Sequence, residues 1–483
     1  MPSPSSLAVW LFATSAAVAQ VPQFRPFVLP GVAFPLSNGF AAGDFDGDGD
    51  IDLTLISNLG PRVYRNAGSG ALEDITALLP GPIAGNQRTA AFVDVDGDGA
   101  KELLLTWSGL ARLLRWQNGA WLDISANLPA GLATISGAAA ADLDLDGDQD
   151  LVCAGSFLDA GTNQLLINDG AGHFTATFPF SGQSFQTLAA DVDGDGDRDV
   201  VFARPGVQLF RNDGTAGFTE VTATKLPGNL GQPSFVAIGD VNGDTTLDIF
   251  VGGGALTDRF LTNDGTGTFT IGNGLPGGLG STSGSALADV DGDGDLDLWR
   301  GTLNYGLPTL LLNDGFGFFT NAPSRLPPTI AWASQCDAAD LDGDGDPELL
   351  LAGLSVTASV LWNLHRHVAS DVAPVPGVDW NIELASQPGY GTTSRFALLA
   401  IGLARLPNAI DLPPWGDLWI DFAAPTLFLP AWFQPFDGPQ FLTISMPPIP
   451  QLTGLPLFLQ GILEEPPGLP FAHFTRLVAT TVQ

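Results

Sequence analysis

Between residues 40 and 365 the chain alternates short apolar runs with polar, glycine-rich turns, a pattern of strands rather than of amphipathic helices. The runs recur in a fixed order. First comes a strand of small residues, as in Gly137–Ala141, Thr187–Ala190 and Ser285–Ala288, which suits a crowded axis. An acidic loop follows, and directly after it a strand rich in β-branched and aromatic residues, as in Asp52–Ile56, Glu102–Leu105, Asp199–Phe202 and Asp248–Val251. A third strand ends in an Asn-Asp-Gly turn at Asn168, Asn212, Asn263 and Asn313, where Asp-Gly supplies the positive-φ residues of a hairpin. A fourth strand carries an aromatic, Phe174, Phe218, Phe269 or Phe319, before a Gly/Pro-rich link to the next unit.

The acidic loops begin at Asp44, Asp94, Asp142, Asp191, Asp240, Asp289 and Asp340, at intervals of 50, 48, 49, 49, 49 and 51 residues. A period of about 50 residues makes four short strands with turns, which is one blade of a propeller. The sequence therefore predicts an all-β chain: a seven-bladed β-propeller over residues 20–371, followed by a small Pro-rich β-sandwich-like domain over 372–483. That last segment holds 17 prolines between Pro374 and Pro470, which divide it into short strands. The seventh unit ends Val360-Leu-Trp-Asn-Leu-His365 without its Asp-Gly turn, while Gln23–Leu29 reads as a spare fourth strand. Pairing the two would close the ring and hide its open edges.

Charge narrows the function. With 52 acidic against 18 basic residues the formal net charge is −34, which argues against nucleic acid and anionic lipid as partners and favours cations. The hydrophobic fraction of 45% excludes disorder, and 32 of the 52 acids sit in the seven loops. A short apolar run from Leu7 to Ala19 ends Ala17-Val18-Ala19, a small-x-small signature that predicts a signal peptide over residues 1–19 and a secreted or cell-surface protein. Prolines interrupt the remaining long uncharged stretch, Gly438–Leu463, so no transmembrane span is expected. Cys153 and Cys336 fall in units nearly opposite each other on a seven-fold ring, and are expected to be buried free thiols.

The chemistry lies in the loops. Alternating carboxylates bring hard oxygens around one point, which is what calcium requires of six to eight ligands at about 2.3–2.6 Å. In the first loop Asp44, Asp46 and Asp48 are assigned as side-chain ligands, Asp50 as a carbonyl ligand and Asp52 as a bidentate carboxylate. An EF-hand is excluded, because its twelfth position must be Glu, followed by a helix. Here the twelfth residues are Leu55, Leu105, Cys153, Phe202, Val251, Arg300 and Leu351, all in apparent strands.

These loops resemble the FG-GAP/VCBS repeats of integrin α-subunit propellers and of many secreted bacterial proteins, through the signature D-x-D-x-D-G-x-x-D. The resemblance implies that each loop joins the first two strands of a blade and binds calcium through positions one, three, five, seven and nine. It assigns Asp94, Asp96, Asp98, Ala100 and Glu102 in the second loop and Asp142, Asp144, Asp146, Asp148 and Asp150 in the third. In the fourth it assigns Asp191, Asp193, Asp195, Asp197 and Asp199. The fifth loop, Asp240, Asn242, Asp244, Thr246 and Asp248, departs most, with Asn at position three and Thr245 replacing the turn glycine. The sixth has Asp289, Asp291, Asp293, Asp295 and Asp297; the seventh has Asp340, Asp342, Asp344, Asp346 and Glu348. Six or seven structural calcium ions are therefore expected.

Neither a G-x-S-x-G, an H-E-x-x-H nor a phosphate-binding glycine loop is present, and there are four histidines. The expected function is a non-enzymatic extracellular binding or adhesion module for a protein or glycan. The integrin resemblance implies a ligand face opposite the calcium loops, at connections such as Phe157–Gly161, Leu303–Leu307, Thr224–Pro227 and Arg325–Trp332. The alternative is a lectin or carbohydrate-active enzyme using the same face.

Overall fold

A computed structural model describes residues 24–29 and 37–363, apart from 67–69, 71, 82–86, 157–160, 204–205, 234, 254–256, 277–281, 303–306, 328–329, 331–332, 334, 344 and 354–357. Beyond these it describes only strands, between residues 368 and 481. The expected signal peptide and the linker at 373–377 lie outside the described residues.

Seven four-stranded antiparallel sheets account for residues 24–363. Blade 3 is representative, with strands Ile135–Ala141, Asp150–Gly155, Gln164–Ile167 and Thr175–Thr177. The first strands of successive blades touch one another in a closed cycle, including the contact from Gln335–Ala339 back to Ser37–Gly43. The chain is therefore a closed seven-bladed β-propeller. The crowding predicted for these inner strands is real. A Cβ on Gly137 would stand 2.7 Å from the carbonyl oxygen of Phe185 in blade 4, and one on Gly284 2.8 Å from the Cα of Gln335 in blade 7.

Closure is made by the N-terminal strand. Phe24–Val28 pairs antiparallel with Ser359–Asn363 and becomes the fourth strand of blade 7. Leu350, Val360 and Trp362 of that blade then pack against Phe40, Leu53 and Tyr64 of blade 1. The same apolar packing recurs between other neighbours: Val201 and Leu209 of blade 4 meet Ile249 and Leu261 of blade 5. Cys153 and Cys336 are buried free thiols.

Polar bonds also tie blade to blade, through the asparagine of the turn that ends the third strand. Asn168 Nδ2 donates to the Val95 carbonyl in the loop of the preceding blade (2.9 Å) and to the Gln149 carbonyl in its own loop (3.1 Å). Asn66, Asn263, Asn313 and Asn363 repeat this two-carbonyl bridge, to Leu341, Val192, Val241 and Val290 of the preceding blades. Asn212 donates likewise to Leu143. The seventh unit lost its Asp-Gly turn yet keeps its latch in Asn363. Replacing Asn168 by Ala strands the buried Val95 carbonyl and the partly buried Gln149 carbonyl, and is expected to cost about 2–3 kcal/mol. Asn168→Asp, which turns a carboxylate on those carbonyls, is expected to cost more; denaturant melts of the two variants check the order.

Beyond the propeller, Val368–Ala369, Asp379–Leu384 and Gln440–Ser445 form one sheet. Arg395–Gly402 pairs with both Thr426–Phe433 and Pro456–Glu464 in another. Among the described residues no helix is long and apolar enough to cross a membrane.

Candidate metal centres

Each acidic loop leaves the end of a first strand, turns through residues with positive φ and enters the second strand at its ninth position. In loop 1 the turn is made by Gly47 (φ 73°) and Gly49 (φ 93°). The carboxylate of Asp44 is clamped over it, accepting Gly47 N–H at 2.8 Å and Gly49 N–H at 2.9 Å. The same clamp is formed by Asp94, Asp191, Asp289 and Asp340. Loop 5 also keeps it: Thr245 takes the left-handed conformation (φ 72°) and donates its N–H to Asp240 at 2.8 Å. That conformation is strained for a β-branched residue.

The ninth residue anchors the loop from below. Asp150 accepts the Leu143 N–H on one oxygen (3.1 Å) and the Asn168 N–H on the other (2.8 Å). Asp52, Asp199, Asp248, Asp297 and Glu348 do the same with the equivalent amides. Glu102 accepts Val95 N–H and the guanidinium of Arg115. All seven are buried. An ion meeting position nine would thus share oxygens that already hold the backbone, each with one further lone pair to offer.

Position three carries the clearest sign of a missing partner. Oδ1 of Asp46, Asp96, Asp144 and Asp193 is buried and accepts no hydrogen bond. The other oxygen, Oδ2, is held by a guanidinium in three blades: Arg65 on Asp46 (2.9 Å), Arg115 on Asp96 (2.7 Å) and Arg211 on Asp193 (2.7 Å). A buried, unpartnered carboxylate oxygen is costly unless a cation meets it. The carboxylates converge accordingly. Ligand atoms of Asp44, Asp46 and Asp48 lie within 4.8 Å of one another, as do those of Asp142, Asp144 and Asp146. So do Asp94, Asp96 and Glu102; Asp191, Asp193 and Asp199; and Asp289, Asp291 and Asp297. A hard oxygen set of this kind fits calcium and offers no nitrogen or sulfur to a softer metal.

The remaining assigned positions sit in the same loops. Asp48, Asp98, Asp146 and Asp244 at position five each accept the N–H of position seven, from Asp50, Ala100, Asp148 and Thr246. Asp195 and Asp293 accept the N–H of Asp197 and Asp295 in the same way. Asn242 accepts the Asp244 N–H, so its amide oxygen is engaged within the loop. Asp342 and Asp346 lie buried in loop 7, and Asp344 falls outside the described residues.

Two features escape the repeat pattern. At position seven, assigned only a carbonyl role, Oδ1 of Asp148 and of Asp197 is buried without a hydrogen bond. These side chains turn toward the third-strand turn of their own blade, where a Cβ on Gly170 would stand 3.1 Å from Asp148 Oδ2. That contact, with φ 71° at Gly170, is why the turn needs glycine. The second feature corrects the expected ligand face. Lys225 and Arg325 do not lie opposite the loops. Lys225 Nζ donates to Thr266 O (2.7 Å) beside the blade 5 turn, and Arg325 lies 3.7 Å from Asp291 of loop 6. The fourth strands of these blades are only two residues long, so the chain is still at the loop end when it leaves them. Segments 157–160 and 303–306 lie outside the described residues.

Burial, opposed by the backbone N–H bonds, pushes Asp52 up to about 8, Asp150 to about 7 and Asp248 to about 6. Burial and then Asp291 push Asp297 to about 9. Asp195 and Asp244 run the other way, held down by hydrogen bonds from Arg211 and Thr246, but both are exposed. The buried groups have folded values above the unfolded value of about 3.9. Their stabilising contribution is therefore complete below that value and is lost as pH rises through the folded one. In chelator, the melting temperature is expected to fall from about pH 5 to about pH 9. In excess calcium the trend should reverse, because the cation needs ionised ligands. Melts across that range check the sign; a chelated protein that gains stability with pH contradicts it.

The acidic loops match a known repeat family. The family model described as an FG-GAP-like repeat matches residues 44–105, 142–202, 191–251, 240–299 and 301–351, and these matches take in all seven loops. No curated protein matches the chain in sequence. Among solved structures, an Agrocybe aegerita lectin described as recognising non-reducing terminal N-acetylglucosamine is 18% identical, with a TM-score of 0.46. The alignment covers 68% of this chain and 85% of the lectin. The extracellular domain of a B. thetaiotaomicron putative one-component system is 11% identical, also with a TM-score of 0.46, over 95% of this chain and 58% of that one. The family matches extend over more than half of the 483 residues, and the chain belongs to the FG-GAP-like repeat family.

Proposed function

We propose that this propeller is an exported binding module in which calcium in six or seven loops is structural and the ligand is an extracellular protein or glycan. The observation that carries the calcium reading is the buried position-three oxygen left without a hydrogen bond in loops 1 to 4. Asp46, Asp96, Asp144 and Asp193 would hold the ion there, with the loop partners named above. Calcium when bound supplies positive charge that offsets the repulsion among the carboxylates. The chain itself does the positioning: glycines turn the loop, the first Asp clamps it, and the ninth carboxylate fixes it to the next strand.

Binding is assigned to the face opposite the loops. Leu59, Leu110 and Leu307 at the turns between second and third strands of blades 1, 2 and 6 are 62%, 70% and 59% exposed. Large apolar side chains raised on turns above a rigid scaffold suit contact with a partner. The C-terminal segment is read as a separate β domain of sandwich type, and residues 1–19 as an export signal.

The test is an array of glycans and extracellular-matrix proteins probed with the full chain in calcium, followed by a polysaccharide turnover assay. The reading expects saturable binding to one class of ligand, weakened by Leu59→Glu with Leu110→Glu, and no turnover. Turnover, or binding indifferent to both substitutions, overturns it.

A further inference from the structure

The inner strands of blades 4 to 7 enclose a partly open cavity of about 520 Å³ on the propeller axis. Its lining carries apolar side chains, Leu188, Ile238 and Leu287 among them, beside uncharged polar residues such as Gln186, Ser285 and Gln335, and no Lys, Arg or His lines it. One residue breaks this character. Three positions before each acidic loop the inner strand carries Ala41, Ala91, Ala139, Leu188, Ala237 or Ala286, but in blade 7 it carries Asp337. Asp337 lines the cavity, and among the described residues its carboxylate accepts one hydrogen bond, from its neighbour's N–H at Ala338 (2.9 Å). Burial pushes it up to about 6, against the Ala338 N–H bond.

A small-molecule site is a concavity of about 300–1,000 Å³ that combines apolar wall with well-placed polar groups, and the axial cavity has that size and both kinds of lining. A lone carboxylate in such a wall selects for positive charge. It does not make a calcium site, which needs six to eight oxygens. The leucine and isoleucine wall asks instead for a cation with an apolar body, and a surface of net charge −34 draws cations and repels anions. We propose that the axial cavity takes up a small organic ammonium compound, with its charge on Asp337 and its apolar body against Leu188, Ile238 and Leu287.

The experiment is a calorimetric or ligand-observed NMR titration of the full chain, in calcium, with hexylamine, hexanol and hexanoate. Hexylamine is expected to bind at one site per chain, at least about tenfold more tightly than hexanol, with no binding of hexanoate. Asp337→Asn, close to isosteric, should erase the preference for the amine while leaving the melting temperature near the parent's. Leu188→Trp, which fills the cavity and keeps the carboxylate, should abolish binding of amine and alcohol alike. Failure of hexylamine to bind at millimolar concentration, equal affinity for amine and alcohol, or an unchanged amine preference in Asp337→Asn overturns the proposal.

Discussion

Chelation of calcium is expected to lower the melting temperature of the propeller by roughly 10–15 °C. If free calcium stands at about ten times the dissociation constant, each site adds about 1.4 kcal/mol, and seven independent sites add about 10 kcal/mol. A body of about 340 residues unfolds with an entropy of roughly 0.7 kcal/mol per degree, which converts that sum to about 14 °C. The loss should be cooperative, because the loops are not independent of the fold. Asp150 ties loop 3 to the Asn168 turn, and Asn168 ties that turn to loop 2. Loosening one loop therefore loosens its neighbour. Calorimetry with EGTA and after calcium re-addition reads the effect; an unchanged melting temperature would remove calcium from the account of stability.

The second large effect is expected far from the loops. Arg300, in the second strand of blade 6, is 4% exposed and forms an ion pair with Asp258 of blade 5. Thr282 Oγ1 donates to Asp258 Oδ2 at 2.6 Å, and Gly253 N–H donates to Oδ1 at 3.1 Å. Burial lowers the Arg300 pKa, against the pull of Asp258. Asp258→Ala leaves a buried guanidinium without its carboxylate and is expected to cost about 3–5 kcal/mol. The double variant Asp258→Ala with Arg300→Leu is expected to recover most of that loss. The six equivalent positions are Leu55, Leu105, Cys153, Phe202, Val251 and Leu351, all apolar, so the site tolerates a hydrophobic residue. A double-mutant cycle by urea melts measures the coupling; additive losses would show that the pair does not act as a unit.

Those two residues also mark where sequence reasoning stopped. The loop period, the four strands of each unit and closure by Phe24–Val28 were legible, because each is a local pattern repeated at a fixed interval. Arg300 stood out as one charged residue in an otherwise apolar series, yet nothing in the sequence pointed to Asp258, 42 residues earlier in the preceding blade. The Asn of Asn-Asp-Gly read as a turn residue, and its larger task of joining neighbouring blades depends on a contact such as that of Asn168 with Val95, 73 residues away. The ion-pair position of Arg325 was missed for a related reason. A repeat fixes the order of strands but not their length, and a two-residue fourth strand leaves the chain at the loop end. Asp148 and Asp197 taught a smaller lesson, since the motif assigns position seven a carbonyl and says nothing of its side chain.

The loops also rank themselves. Loop 5 keeps its clamp at the expense of strain at Thr245, and its Asn242 replaces the carboxylate whose oxygen is orphaned in loops 1 to 4. It is the site expected to bind most weakly. Counting the ions tests the whole account most directly. Mass spectrometry of the intact full chain under native conditions, after equilibration in calcium and removal of free ion, is predicted to give six or seven calcium ions per chain, falling to none in EGTA. A count of two or fewer, or a count that Asp46→Ala and Asp193→Ala together fail to lower, would contradict it.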